Sequence, residues 1–172
     1  LRVDAATNSA LTSANLDNLA NANTTLNLNA AALTTVKGSS GASTNDTLNL
    51  SGAQSATAAA ENGGKGLVVT NIKTINAGQS TGELKINITP DATSTADNGV
   101  TTTTFYGSNL ADKVTIQGAV AAGQKVVINT YGGADEVSTG DITGAAEINL
   151  GAGADNLTTG AITGTLKVSN VD

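Results

Sequence analysis

An all-β, right-handed parallel β-solenoid with coils of about 20 residues is the fold this sequence predicts. Three observations predict it: a dense internal repeat, short alternating runs punctuated by glycine, and a supply of small side chains with almost no aromatics.

The repeat is the strongest of the three. Residues 127–145 read VINTYGGADEVSTGDITGA and residues 147–165 read EINLGAGADNLTTGAITGT, matching at an offset of 20. Ile128 falls on Ile148, Asn129 on Asn149, Gly133 on Gly153, Asp135 on Asp155, Gly140 on Gly160 and Ile142 on Ile162. Each copy reads as strand, Gly-Ala-Asp turn, short strand, Gly turn, because β-branched residues in short runs bounded by glycine are strand and turn signals. Val168 lies 20 beyond Ile148, so LKVSN opens a third coil. A unit of this size cannot bury its own apolar face; it must stack on neighbours, with equivalent strands pairing in parallel about 4.8 Å apart.

Toward the N-terminus the pattern loosens. SNLADKVTIQG (108–118) carries the same Asp-x-apolar step at Asp112 and Val114, but 23 residues before Asp135, so a longer turn around AVAAGQ has to absorb three residues. STNDTLNLSG (43–52) offers a fourth step at Asp46 and Leu48, followed by AQSATAAAENGGKG (53–66), which reads as a loop. GLVVTNIKTINAG and ELKINITP alternate as half-buried strands do, and Pro90 ends the second and opens a polar loop. The places for a domain-like division are Pro90 and the 53–66 loop. We therefore expect an N-terminal segment, 1–40, and a solenoid over 41–172, with one continuous solenoid as the alternative. Within the first segment, Leu11, Leu16 and Leu19 suit one side of a short helix, whereas TTLNLNA (24–30) alternates as a strand.

Composition narrows the function. Two Tyr, one Phe and no Trp or Met leave a core of small aliphatic side chains, which suits laddered stacking. Hydrophobic residues at 39% are too many for a disordered solvating chain. A net charge of −6 opposes binding to nucleic acid or to anionic membranes. No apolar run approaches the roughly 18 residues of a membrane span, so membrane insertion is not expected. With no His and no Cys, Ser-His and Cys-His catalysis are excluded, and the scattered carboxylates with almost no aromatics to stack a sugar make a glycosidase a poor fit; we expect no enzyme. The Thr runs show no sustained Thr-x-Thr register, so no ice-binding ladder is expected.

Calcium is the chemistry that suits the residues present. It takes six to eight hard oxygen ligands, and a glycine-rich turn bends so that carbonyls converge while an Asp supplies charge. Gly151, Gly153 and Asp155, with Leu157 turning back to the core, supply that order in GAGADNL; Gly133 and Asp135 do so in YGGADEV, where Tyr131 replaces the first glycine. Asp112 is a weaker candidate, with Leu110 at the second glycine position, and Asp46 weaker still. The alternative is that each Asp caps its own turn by accepting backbone N–H bonds.

These turns resemble the Gly-Gly-x-Gly-x-Asp-x-apolar-x nonapeptide of RTX proteins, whose repeats form a calcium-bound parallel β-roll. The coil is two residues longer than a double nonapeptide, and its second half, STGDITG or TTGAITG, lacks the Asp that a β-roll places nine residues on. More broadly, NDTLNLSGAQS, VVTNIKTINAG and FYGSNLADKVTIQG are similar to the Thr-, Ala-, Asn- and Gly-rich solenoid parts of RTX-type bacterial surface-layer proteins. The resemblance covers roughly residues 40 to 172. It implies a secreted structural protein of the bacterial cell surface, exported by type I secretion, binding Ca²⁺, and associating with itself in a lattice. A cell-surface polysaccharide would be held through regions outside this stretch. The stalk of a large secreted RTX adhesin is the alternative the same resemblance implies.

Overall fold

In a computed structural model, residues 2–8, 10–16, 23–39, 45–92 and 99–171 are described. They form two parallel sheets wound by one chain. Sheet A has eight strands: β1 (Arg2–Ala5), β3 (Thr25–Asn29), β5 (Thr47–Gly52), β7 (Thr74–Ser80), β9 (Thr101–Tyr106), β11 (Gln124–Asn129), β13 (Ala145–Asn149) and β15 (Thr165–Ser169). Sheet B has seven: β2 (Ser13–Asn15), β4 (Thr35–Lys37), β6 (Leu67–Thr70), β8 (Leu84–Ile88), β10 (Asp112–Ile116), β12 (Glu136–Thr139) and β14 (Asn156–Thr158). Alternate strands in sequence alternate between sheets, so each coil adds one rung to both.

The architecture is the expected β-solenoid, but the coil length is not constant. It averages about 23 residues over about six turns. The 20-residue coil holds from Val127 through Glu147 to Lys167. Earlier rungs are 22 residues apart (Thr25 to Thr47), then 27 (Thr47 to Thr74), then 30 (Thr74 to Thr104). The corners absorb most of the difference, and an irregularity in β7 takes up one residue, since Asn49 pairs with Asn76 but Ser51 with Gln79. The three extra residues before Asp135 are taken up as anticipated: the offset is 23 at Ile116↔Thr139, 22 at Val120↔Ile142 and 20 at Lys125↔Ala145.

The interior is built of columns. Leu26, Leu48, Ile75, Phe105, Ile128 and Ile148 stand one above another along sheet A, and all are buried. Facing them from sheet B are Leu67, Ile86, Val114 and Val137, with Val36, Val69, Ile88 and Ile116 in the neighbouring column. Period-2 alternation puts these side chains inward and Thr, Asn and Lys outward, as one-sided burial of a strand requires.

Two expectations need revision. TTLNLNA does form β3, but Ser13–Asn15 is a strand, so the short helix over Leu11 to Leu19 does not form there; Leu19 lies outside the described residues. The 53–66 stretch carries a short helix, α1 (Ala56–Gly64), instead of being only a loop. Ser55 caps it by accepting the Ala58 N–H at 3.1 Å, the Ala run has high helix propensity, and the backbone leaves helical geometry at Glu61–Gly63. The excursion is tied to sheet B by side-chain amides: Gln54 receives the Lys85 N–H at 2.8 Å and donates to the Lys85 carbonyl at 3.1 Å, as a peptide of a neighbouring strand would. No helix among the described residues is long and apolar enough to cross a membrane.

Candidate functional site: an aspartate column at one corner

The turn from sheet A into sheet B brings three of the four Asp-x-apolar steps together. Asp112, Asp135 and Asp155 occupy the same rung position on successive coils. Asp46 does not join them. It closes the opposite turn, from sheet B into sheet A, where its Oδ1 accepts the Thr24 N–H at 2.8 Å and its Oδ2 the Ser39 N–H at 2.7 Å. The local spelling Asp-x-apolar is the same at both corners because either sheet is entered by turning a polar residue to the backbone and the next-but-one residue to the core.

In the column each carboxylate reaches back one coil. Asp155 Oδ1 accepts the Asp135 N–H at 2.9 Å, and Asp135 Oδ1 accepts the Asp112 N–H at 2.8 Å. Asp112 is held by Ser108, whose N–H donates to Oδ2 at 2.8 Å, and by the N–H of Leu84 one coil earlier. Asp112 and Asp135 are buried, whereas Asp155 is half-buried. One oxygen of each of the last two, Oδ2 of Asp135 and of Asp155, is shielded from solvent and receives no hydrogen bond.

The glycines at this corner serve stacking. A Cβ on Gly153 would collide with the carbonyl oxygen of Gly133, one on Gly151 with that of Tyr131, and one on Gly133 would come within 2.5 Å of the Leu110 carbonyl carbon. All three have positive φ, of 146°, 85° and 124° respectively. Coil-on-coil contact at the turn thus accounts for the glycines, and backbone capping for one oxygen of each Asp. Among the described residues there is no group of three or more acidic side chains that would hold a metal. The acceptors left unengaged at this corner are Oδ2 of Asp135 and Oδ2 of Asp155, whereas the Asp112 and Asp46 carboxylates are turned to backbone N–H groups.

Burial has an electrostatic consequence. Desolvation, with the neighbouring Asp135 charge adding to it, pushes the Asp112 carboxyl up to about 6 against the lowering effect of the Ser108 N–H. Asp135 is raised as well, by burial above all and also by Asp155, while the Asp112 N–H opposes the rise. Because the folded chain holds the Asp112 proton more tightly than the unfolded one, its effect is stability that is complete below about pH 4 and is lost as pH rises through about 6, and the raised Asp135 acts in the same direction. For Asp112 the loss is at most about 3 kcal/mol, roughly 5–10 °C in unfolding midpoint for a chain of this size. Calcium-free melts between pH 4 and 8 should therefore show the midpoint falling; a midpoint that climbs over this window would contradict the buried column.

Sequence reasoning did not find the outer face of sheet A. There Thr25, Thr47, Thr74 and Thr104 form one column, and Asn27, Asn49, Asn76, Tyr106, Asn129 and Asn149 form the next. A sustained Thr register therefore does exist across four rungs, as Thr-x-Asn on the first three and Thr-x-Tyr on the fourth instead of Thr-x-Thr. Asn49 donates to Asn27 Oδ1 at 2.8 Å along that second column. Farther on, the charges pair across coils: Glu147 receives Lys125 at 2.9 Å and Lys167 at 3.4 Å. Such pairs set register more than they add stability.

Fold and site together define a parallel β-solenoid with a capped aspartate corner. The chain matches no protein-family model, no curated protein and no solved structure.

Proposed function

We propose that the chain is a structural segment of an exported bacterial surface-layer protein of the RTX type, self-associating at the cell surface after type I secretion. The observation that carries this reading is the parallel stack itself, in which the same inward apolar and outward polar columns run through successive coils. The long, regular stack supports a load-carrying role, and its coil-by-coil growth supports assembly. Electron microscopy of the protein on calcium-containing supports is expected to show a two-dimensional lattice; isolated rods without order would favour the adhesin stalk.

Calcium enters this reading at Asp135 and Asp155. Their unengaged Oδ2 atoms, with carbonyl oxygens of the Gly133 and Gly153 turns, are the ligands, and the ion would supply positive charge to a column that is otherwise destabilised by its own ionisation. An ion that binds only the folded chain adds about 2.7 kcal/mol at a hundredfold excess over Kd, again roughly 5–10 °C here. Thermal melts at pH 7.5 in EGTA and in millimolar Ca²⁺ should differ by that amount; coincident melts would remove calcium from the proposal.

A further inference from the structure

We propose that the corner carrying Tyr106 and Tyr131 is a binding site for a neutral polysaccharide lying along the solenoid axis. The chain has only two tyrosines, and neither serves the core: Tyr106 is 37% and Tyr131 45% exposed. Tyr131 is also strained. Its φ is +68°, and the Gly132 N–H donates to the Thr130 carbonyl at 3.0 Å, closing a three-residue turn centred on Tyr131. Turns of this kind with positive φ are rare and strained, and a bulky residue there is an outlier. One coil later the same rung is occupied by Gly151 at φ +85°, so the fold has an unstrained solution that this coil does not use. Strain retained on an exposed aromatic is accounted for by something the ring touches.

The surroundings name the chemistry. Tyr131 walls a hollow of about 250 Å³ lined by Asn76, Ser108 and Asn109. Tyr106, the rung partner of both Asn76 and Asn129, walls a shallow groove of about 440 Å³ that continues past Asn129 and Asn149. Along this line the column offers one amide or phenol per coil, at a spacing of about 4.8 Å, close to the rise of one sugar in an extended glycan. The amide oxygens of Asn76 and Asn149 already accept the Gly78 and Gly151 N–H groups and that of Asn129 is shielded, so these side chains meet sugar hydroxyls through their NH₂ donors, while a tyrosine presents an apolar face with a polar tip to the C–H face of a pyranose. The groove's charges, Glu147 and Lys167, are paired with each other, so its lining selects a neutral polymer over an acidic one. This inference stands whether or not the chain assembles into a lattice.

Native-gel affinity electrophoresis tests it, with hydroxyethyl cellulose, dextran, galactomannan or polygalacturonate cast in the gel. At least one neutral polymer should retard the wild-type chain, and polygalacturonate should not. Tyr131→Gly should raise the melting temperature while weakening retardation at least fivefold, because the strain and the platform leave together. Tyr106→Ala should weaken retardation with little change in melting. The proposal fails if no neutral polymer retards the chain, or if retardation survives both substitutions. It also fails if Tyr106→Ala instead changes the sedimentation of the chain alone, which would mark the face as a protein contact.

Discussion

Replacing Gly153 by Ala is expected to destabilise the fold by about 4 kcal/mol, combining the strain of a side chain at strongly positive φ with overpacking against a neighbouring backbone. The cause is specific. At φ 146° the new Cβ would run into the carbonyl oxygen of Gly133 on the coil below, and that oxygen belongs to backbone that cannot rotate away. Gly118→Ala is the control, since Gly118 also has positive φ (79°) but nothing lies within 4 Å of its added Cβ. That substitution should cost only about 1 kcal/mol. Urea unfolding of the two variants separates contact from conformation. Equal costs would mean that the coils do not approach at the Gly-Ala-Asp turn as closely as described.

Phe105→Ala is expected to cost about 3–5 kcal/mol, the range for truncating a buried aromatic. Phe105 is the largest fully buried side chain, in a core otherwise of Leu, Ile, Val and Ala, and stands between Ile75 and Ile128 in the sheet A column. Neither neighbour can fill the space, because each is fixed on its own rung by parallel pairing. Phe105→Leu, which keeps most of the volume, should recover more than half of the loss. A cost under about 1 kcal/mol for the Ala variant, measured by denaturant melts followed by circular dichroism, would show that this rung is not close-packed.

The C-terminal coils were legible because their repeat is unbroken: Ile128 and Ile148, or Asp135 and Asp155, are the same residue at an offset of 20, and that offset is the true rung spacing. Farther back, sequence distance and rung distance part company. Thr47 and Thr74 are neighbours in space at an offset of 27 because α1 is inserted between them, and no fixed-period scan aligns them. The next step, Thr74 to Thr104, is 30 residues, so the Thr and Asn columns share no single period. Asp46 was misgrouped for a different reason. Alternation declares which residue turns inward but not which of two sheets it enters, and both sheets begin with the same polar-x-apolar step. Ser108, which holds Asp112, and the strain at Tyr131 carried no signal, since one depends on a carboxylate four residues away and the other on a backbone angle.

Parallel pairing confined to adjacent rungs also makes the molecule mechanically anisotropic. Strand pairing joins each coil only to the coil before and the coil after. A pull applied along the stacking direction loads the hydrogen bonds of one rung at a time and unzips the chain from an end. A pull across the stack, along the strands, shears many rungs at once. A segment set in a wall with its strands in the plane of tension would resist stretching.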